Sequence, residues 1–159
     1  MRHHSVIKAI GNTPLIRLDR ICGERIPTTV YGKVESFNPG QSAKDRAALY
    51  MIEQAEEKGR ILPGATLIEA TSGNTGFSIA MIAAVKGYKC ILTLTDKAGP
   101  EKRALLKALG AEIVLCPKDA APEDPDSYYS QAERLAAEIP NSFYLRQNWN
   151  LDNSGAHCH

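Results

Sequence analysis

The stretch Thr66-Leu67-Ile68-Glu69-Ala70-Thr71-Ser72-Gly73-Asn74-Thr75-Gly76 decides how this chain folds. Its first five residues read as a buried strand, and the next six are small, polar or glycine. A nearly all-apolar helix over residues 77–85 follows, closed by Lys86-Gly87, and a second apolar strand runs over 89–95. Strand, helix, strand with no tight hairpin between them is the pattern of a parallel pair joined by a crossover. Toward the C-terminus the alternation repeats. Pro100 opens a helix that Gly110 ends, residues 112–116 form a strand, and a loop over 120–126 carries Pro122 and Pro125. A helix over 127–139 and a short strand over 143–145 complete the series. Four strands and three intervening helices predict an α/β fold, a three-layer open sheet, mostly parallel, with flanking helices. Right-handed crossovers place the strand ends, and any ligand, along one edge of that sheet.

Toward the N-terminus the pattern changes. Ser42 reads as an N-cap with Asp45 at the capping-box position, and a helix over 43–58 is stopped by Gly59. Ala47, Ala48, Met51, Ile52 and Ala55 form its apolar stripe. Asn38-Pro39-Gly40 breaks the chain before it. A strand candidate covers 29–35, and an arm over 7–18 carries the turn Gly11-Asn12-Thr13-Pro14.

The 159 residues are 43% hydrophobic and 23% charged with a net charge of +1, ordinary for one globular domain. Basic runs are too short for a nucleic-acid surface, and no apolar stretch approaches the ~18–20 residues of a membrane span. Neither nucleic acid nor membrane is expected as a partner. Nothing at the start reads as a secretory signal, so a cytoplasmic location is expected. Cys22, Cys90, Cys116 and Cys158 lie far apart and form no C-x-x-C pair, which suits free thiols. His157, Cys158 and His159 are consecutive and read as tail residues; no metal is expected.

Two loops carry candidate chemistry. The segment from Asn38 to Arg46 puts Lys44 at a helix start, where the positive end of the helix dipole disfavours a cation. A neutral amine there could attack an aldehyde and form a Schiff base. A solvated surface lysine beside Asp45 is the alternative, and local sequence leaves both open. In the second loop, Thr71 to Gly76, hydroxyls, the Asn74 amide and helix-start N–H groups could together bind a carboxylate or phosphate. An ordinary N-capping turn is the alternative.

Taken jointly, S-x-K-D-R at 42–46 and T-S-G-N-T-G at 71–76 resemble the signature of the pyridoxal-phosphate (PLP) dependent cysteine-synthase/cystathionine β-synthase family. I-G-N-T-P-L at 10–15, K-x-E-x-x-N-P-G at 33–40, G-A-E-I-V at 110–114, Gln147 and Ala156-His157 fit the same family in the same order. Residues 121–129 and Pro100-Glu101-Lys102 are more similar to the cystathionine β-synthase branch. The resemblance implies that Lys44 holds PLP through a Schiff base and later serves as acid/base at the substrate Cα. It implies that Asn74 hydrogen-bonds the cofactor ring hydroxyl, and that Thr71, Ser72, Gly73, Thr75 and Gln147 bind the amino-acid carboxylate. The reaction implied is β-replacement: serine or O-acetylserine loses its β-substituent, and a thiol or sulfide takes that place. The fold implied is the small domain of a fold-type II enzyme over 37–147. Residues 1–36 would be an arm belonging to an incomplete large domain, and 148–159 the start of the return to it. A homodimer is implied for the full-length family.

The chain departs from the pattern at Gln41, where a second glycine is usual. The family's glycine-rich phosphate loop and the polar partner of the pyridine nitrogen have no counterpart in these residues. The expectation is a truncated chain that binds PLP weakly and has impaired stand-alone activity. Two other readings remain: a non-catalytic α/β module binding an amino acid or a partner, and a serine/threonine dehydratase relative.

Overall fold

The computed structural model describes residues 2–23, 28–71 and 73–158. Its centre is a four-stranded sheet of β3 (Thr66–Ala70), β4 (Lys89–Thr95), β5 (Glu112–Cys116) and β6 (Ser142–Tyr144). The order is β5-β4-β3-β6 and every pairing is parallel. Parallel strands covered on both faces read as continuous apolar runs, and all five residues of β3 are buried. Alternate side chains serve the two layers. Leu67, Leu92 and Leu94 pack with α2 (Lys44–Glu57), α3 (Asn74–Lys86) and Leu106 of α4 (Pro100–Ala108). Ile68, Ala70 and Ile91 pack with Ala132 of α5 (Tyr128–Glu138).

The chain moves outward from β3 to β4 to β5, then α5 carries it back to lay β6 on the other side of β3. That reversal is a topological switch point, where the carboxyl ends of neighbouring strands diverge and leave a crevice. The residues that follow β3 and β6 flank it. These are the Thr71–Gly76 loop and Gln147.

The N-terminal arm forms a separate antiparallel pair, β1 (Leu15–Arg17) with β2 (Tyr31–Lys33), Ile16 opposite Gly32. The strand expected over 29–35 is therefore shorter, because residues 35–37 turn into a 3₁₀ segment that delivers Glu35 toward α2. A single turn, α1 (Asp19–Cys22), had no sequence signal; α6 (Asp152–Gly155) is likewise one turn.

Helix starts differ from expectation in two places. Ala43, not Ser42, stands at the N-cap of α2 and no side chain caps that end. Ser42 Oγ accepts the Lys44 N–H at 3.0 Å in the turn before it, and Asp45 does not close a capping box. Its carboxylate instead accepts the Gly40 N–H and the Ser78 hydroxyl, each at 2.5 Å. A fully buried carboxylate needs such partners, and Ser78 on α3 provides one that local sequence cannot reveal. The second difference is α3, which begins at Asn74 instead of Phe77, so half of the polar loop is the helix's first turn. At the end of the sheet, α5 starts as expected, Ser127 Oγ accepting the Ser130 N–H at 3.1 Å.

Candidate active site

The motif residues of the arm and of α2 are wired into one polar network. Glu35 lies at its centre. Arg46 donates through Nε to Glu35 Oε2 at 2.8 Å and through Nη2 to Oε1 at 3.1 Å. Thr13 Oγ1 donates to Glu35 Oε1 at 2.6 Å and accepts from Arg46 Nη2 at 2.9 Å. Asn38 donates to Glu35 Oε2 at 2.9 Å and to the Ser42 carbonyl at 3.0 Å, while its own carbonyl accepts the Gly11 N–H at 2.8 Å. Lys33 Nζ donates to the Thr13 carbonyl. The Arg46 hydrogen bond, joined by those of Thr13 and Asn38, holds the Glu35 carboxyl down at about 2 against the opposing effect of burial. This bidentate ion pair fixes the turn before Lys44 to the arm. It gives a physical reason for motifs at 10–15, 33–40 and 42–46 to occur together.

The same turn brings the two candidate loops to one place. Gly40 and Gln41 line a cavity of about 420 Å3 together with Gly73, Asn74 and Phe77, and Glu101, Lys102, Leu105 and Leu106 of α4 close its other side. Gly40 is required there: a Cβ on it would collide with the Asp45 carboxylate. Gln41 adopts φ +59, the left-handed conformation in which glycine carries no steric penalty, so the departure noted at this position sits on a strained residue. Lys44, the first residue of α2, is exposed and is not part of the cavity's lining.

Across the switch point, Thr71 and Thr75 are buried. Thr71 Oγ1 accepts the Gly73 N–H at 3.2 Å, shaping the turn. Gly76 permits the helix to approach closely, since a Cβ there would lie 2.8 Å from Thr71 Cγ2 and 3.2 Å from Leu92 Cδ1. Thr75 Oγ1 donates to Gln147 Oε1, so two of the residues chosen for carboxylate binding meet although 72 positions separate them. Gly73 is the N-cap of α3 and no side chain caps that end. Its first N–H groups are thus directed at the crevice with no side-chain acceptor among the described residues. Asn74 is exposed at the same end. Ser72 lies outside the described residues.

One residue with no part in the sequence reading stands beside them. Glu69, 2% exposed, accepts the Gln147 N–H at 3.3 Å on Oε1 and 3.4 Å on Oε2. Burial pushes its carboxyl up to about 8, opposed by main-chain N–H groups of Gln147, Arg146 and Ala70. A carboxylate near the end of an otherwise apolar strand was the signal in the sequence. Among the described residues, no three His, Cys, Asp or Glu are grouped to hold a metal ion. Nor is any helix long and apolar enough to cross a membrane.

Comparison with known proteins gives this geometry a family. The model of the family described as "Pyridoxal-phosphate dependent enzyme" matches residues 6–158. The chain is 48% identical over 153 residues to a cystathionine beta-synthase of Apis mellifera, covering 96% of this chain and 30% of that protein. It is 48% identical over 148 residues to a probable cysteine synthase of Bacillus subtilis, covering 93% of this chain and 46% of that one. Among solved structures, a hydrogen sulfide-producing enzyme from Fusobacterium nucleatum superposes with a TM-score of 0.88 at 39% identity, over 99% of this chain and 50% of that chain. The chain thus spans between about a third and a half of the length of these relatives. Matched along nearly its whole length, with the Lys44 turn and the Thr71–Gly76 loop meeting at one sheet edge, the chain belongs to the pyridoxal-phosphate-dependent enzyme family.

Proposed function

We propose that the protein containing these residues catalyses PLP-dependent β-replacement on serine or O-acetylserine with a thiol or sulfide, the chemistry named for its cystathionine β-synthase and cysteine synthase relatives. The observation that carries the reading is the meeting of two motifs in one crevice. Gly40 and Gln41 share a cavity with Gly73 and Asn74, and Thr75 joins Gln147 alongside.

The residues present fit the cofactor. An exposed amine, Lys44, stands at a helix start, and the exposed Asn74 amide stands at another. Gly73 leaves open space, since a Cβ on it would meet nothing within 4 Å. When bound, PLP supplies an aldehyde for amines and a conjugated ring that stores the electron pair left at the substrate Cα. Lys44 would hold that aldehyde, and its free amine would take and return the proton at the substrate Cα. A positioned acid/base of this kind contributes roughly 10²–10⁴-fold. Asn74 would hydrogen-bond the ring hydroxyl. Thr71, Ser72, Gly73, Thr75 and Gln147 receive the substrate carboxylate, whose charge suits the uncapped N–H groups of α3. Burial of Thr71 and Thr75 limits competition from water for that carboxylate.

Within this proposal residues 37–147 are the small domain, and 1–36 and 148–159 belong with a larger one, in keeping with the separate β1–β2 pair. Cys90, Cys116 and Cys158 are free thiols, which suits a reducing cytoplasm. Homodimerisation follows the family resemblance alone.

Borohydride reduction of the PLP-treated protein, followed by peptide mapping, tests the assignment. Label on Lys44, lost in Lys44→Ala, is the expected result; label on another lysine, or none, overturns it. Product analysis with serine, with and without a thiol, separates replacement from simple elimination by a dehydratase-like activity.

A further inference from the structure

We propose that Glu69 is a positioning residue of the carboxylate cradle: its buried carboxyl group receives the main-chain N–H of Gln147 and so fixes the side chain that Thr75 engages. The inference rests on the reading of Thr75 and Gln147 as carboxylate ligands.

Glu69 sits one residue before the end of β3, and Gln147 follows β6 on the other side of the switch point. The two are 78 positions apart in sequence. The chain reaches Gln147 through Arg146, which adopts φ +52, a left-handed conformation that is strained for a non-glycine residue. The N–H that follows this turn has an acceptor, the Glu69 carboxyl, which receives Gln147 N at 3.3 and 3.4 Å. A left-handed residue turns successive N–H groups toward one side, where they form a concave seat for an anion or carboxyl oxygen. Beyond it the backbone is held again, Asn153 Nδ2 donating to the Gln147 carbonyl at 3.0 Å. The Gln147 peptide is therefore clamped on both sides, and its side chain is aimed at Thr75.

Nothing in the proposed chemistry uses Glu69 directly, yet an ionisable group in a buried strand is costly where an aliphatic one would pack. Its charge is unwelcome to its neighbours as well. Burial chiefly, and the Glu69 charge in smaller part, push up the hydroxyls of Tyr128 on α5 and Tyr144 on β6, while the Arg146 cation acts on Tyr144 in the opposite sense. A carboxyl group kept neutral to about pH 8 still accepts the Gln147 N–H through its carbonyl oxygen.

The test uses the PLP-loaded protein and the variants Glu69→Gln, Glu69→Ala and Glu69→Met. Gln keeps the accepting carbonyl oxygen; Ala and Met remove it, Met without loss of volume. The expected pattern is a ten- to hundredfold rise in KM for L-serine in Ala and Met, with kcat changed less than threefold. Gln should restore KM to within threefold, and the Gln147 amide should exchange hydrogen at least tenfold faster in Ala and Met. Unchanged serine KM and unchanged exchange in Ala and Met overturn the proposal. Should Ala and Met not fold, the Gln147 amide resonance of the wild-type protein decides. Movement with a midpoint near pH 8 that is absent in Glu69→Gln supports the proposal, and a resonance indifferent to pH overturns it. Failure of the underlying reading looks different: the Gln147 amide then responds to Glu69 while serine KM does not.

Discussion

Replacing Glu69 by glutamine should change how the stability of this protein depends on pH, and the size of the change follows from burial. The carboxyl is moved from an ordinary value of 4.5 to about 8 because its ionised form is desolvated at the end of β3. Between those values the unfolded chain has released the proton and the folded chain has kept it. The stability contributed is thus fully present below about pH 4.5. It falls as pH rises and is gone once pH passes about 8. At 1.36 kcal/mol per pH unit the whole interval represents about 5 kcal/mol, of which a window from pH 5 to pH 9 samples about 4 kcal/mol. Glutamine matches the neutral acid in shape and cannot ionise. In urea unfolding followed by circular dichroism, Glu69→Gln should be close to wild type at pH 5 and about 4 kcal/mol more stable at pH 9. The window stays below the range where the buried Cys90 thiol, pushed up to about 12, influences stability most. A stability difference between variant and wild type that is the same at pH 5 and pH 9, within about 1 kcal/mol, would refute the reasoning. It would mean that Glu69 is hydrated or already ionised in the folded protein.

Acid should act through Glu35 with the opposite sign. Its carboxyl is held down at about 2, so its contribution is present above about pH 4.5 and lost as pH falls toward 2, and Arg46→Met should flatten that acid limb in the same unfolding assay. Gly76→Ala should destabilise by about 1–3 kcal/mol in thermal or urea unfolding, because the added methyl must displace Thr71 Cγ2 and Leu92 Cδ1 from a packed interior. Gln147→Ala should weaken L-serine binding at least tenfold in calorimetric titration while leaving the PLP label on Lys44 in place, because its side chain contacts Thr75 and has no part in holding the aldehyde.

The motif residues divide into those that face the crevice and those that hold it. Thr71, Gly73, Asn74, Thr75 and Gln147 stand at the switch point. Thr13, Lys33, Glu35, Asn38, Asp45 and Arg46 form the frame that sets the turn before Lys44. Asp45 links this frame to α3 through Ser78, so the starts of the two helices that carry the candidate amine and amide are fixed to each other by one buried carboxylate.

The sequence by itself determined the α/β class, a mostly parallel sheet of four strands, the order of the helices and the loop with its hydroxyls. All of these depend on short-range patterns: apolar runs of strand length, glycine stops and a proline at a helix start. It also carried the family resemblance, because the motifs recur in order along the chain. Only the tertiary structure decided that β6 lies beside β3, which brings Gln147 to Thr75 across 72 positions. It alone revealed that Asp45 bonds Ser78 instead of capping its own helix, and that the Glu69 carboxyl meets the Gln147 N–H. Burial and hydrogen-bond partners are properties of packed neighbours, and a carboxylate written in a strand looks the same on paper whether water or a peptide N–H meets it.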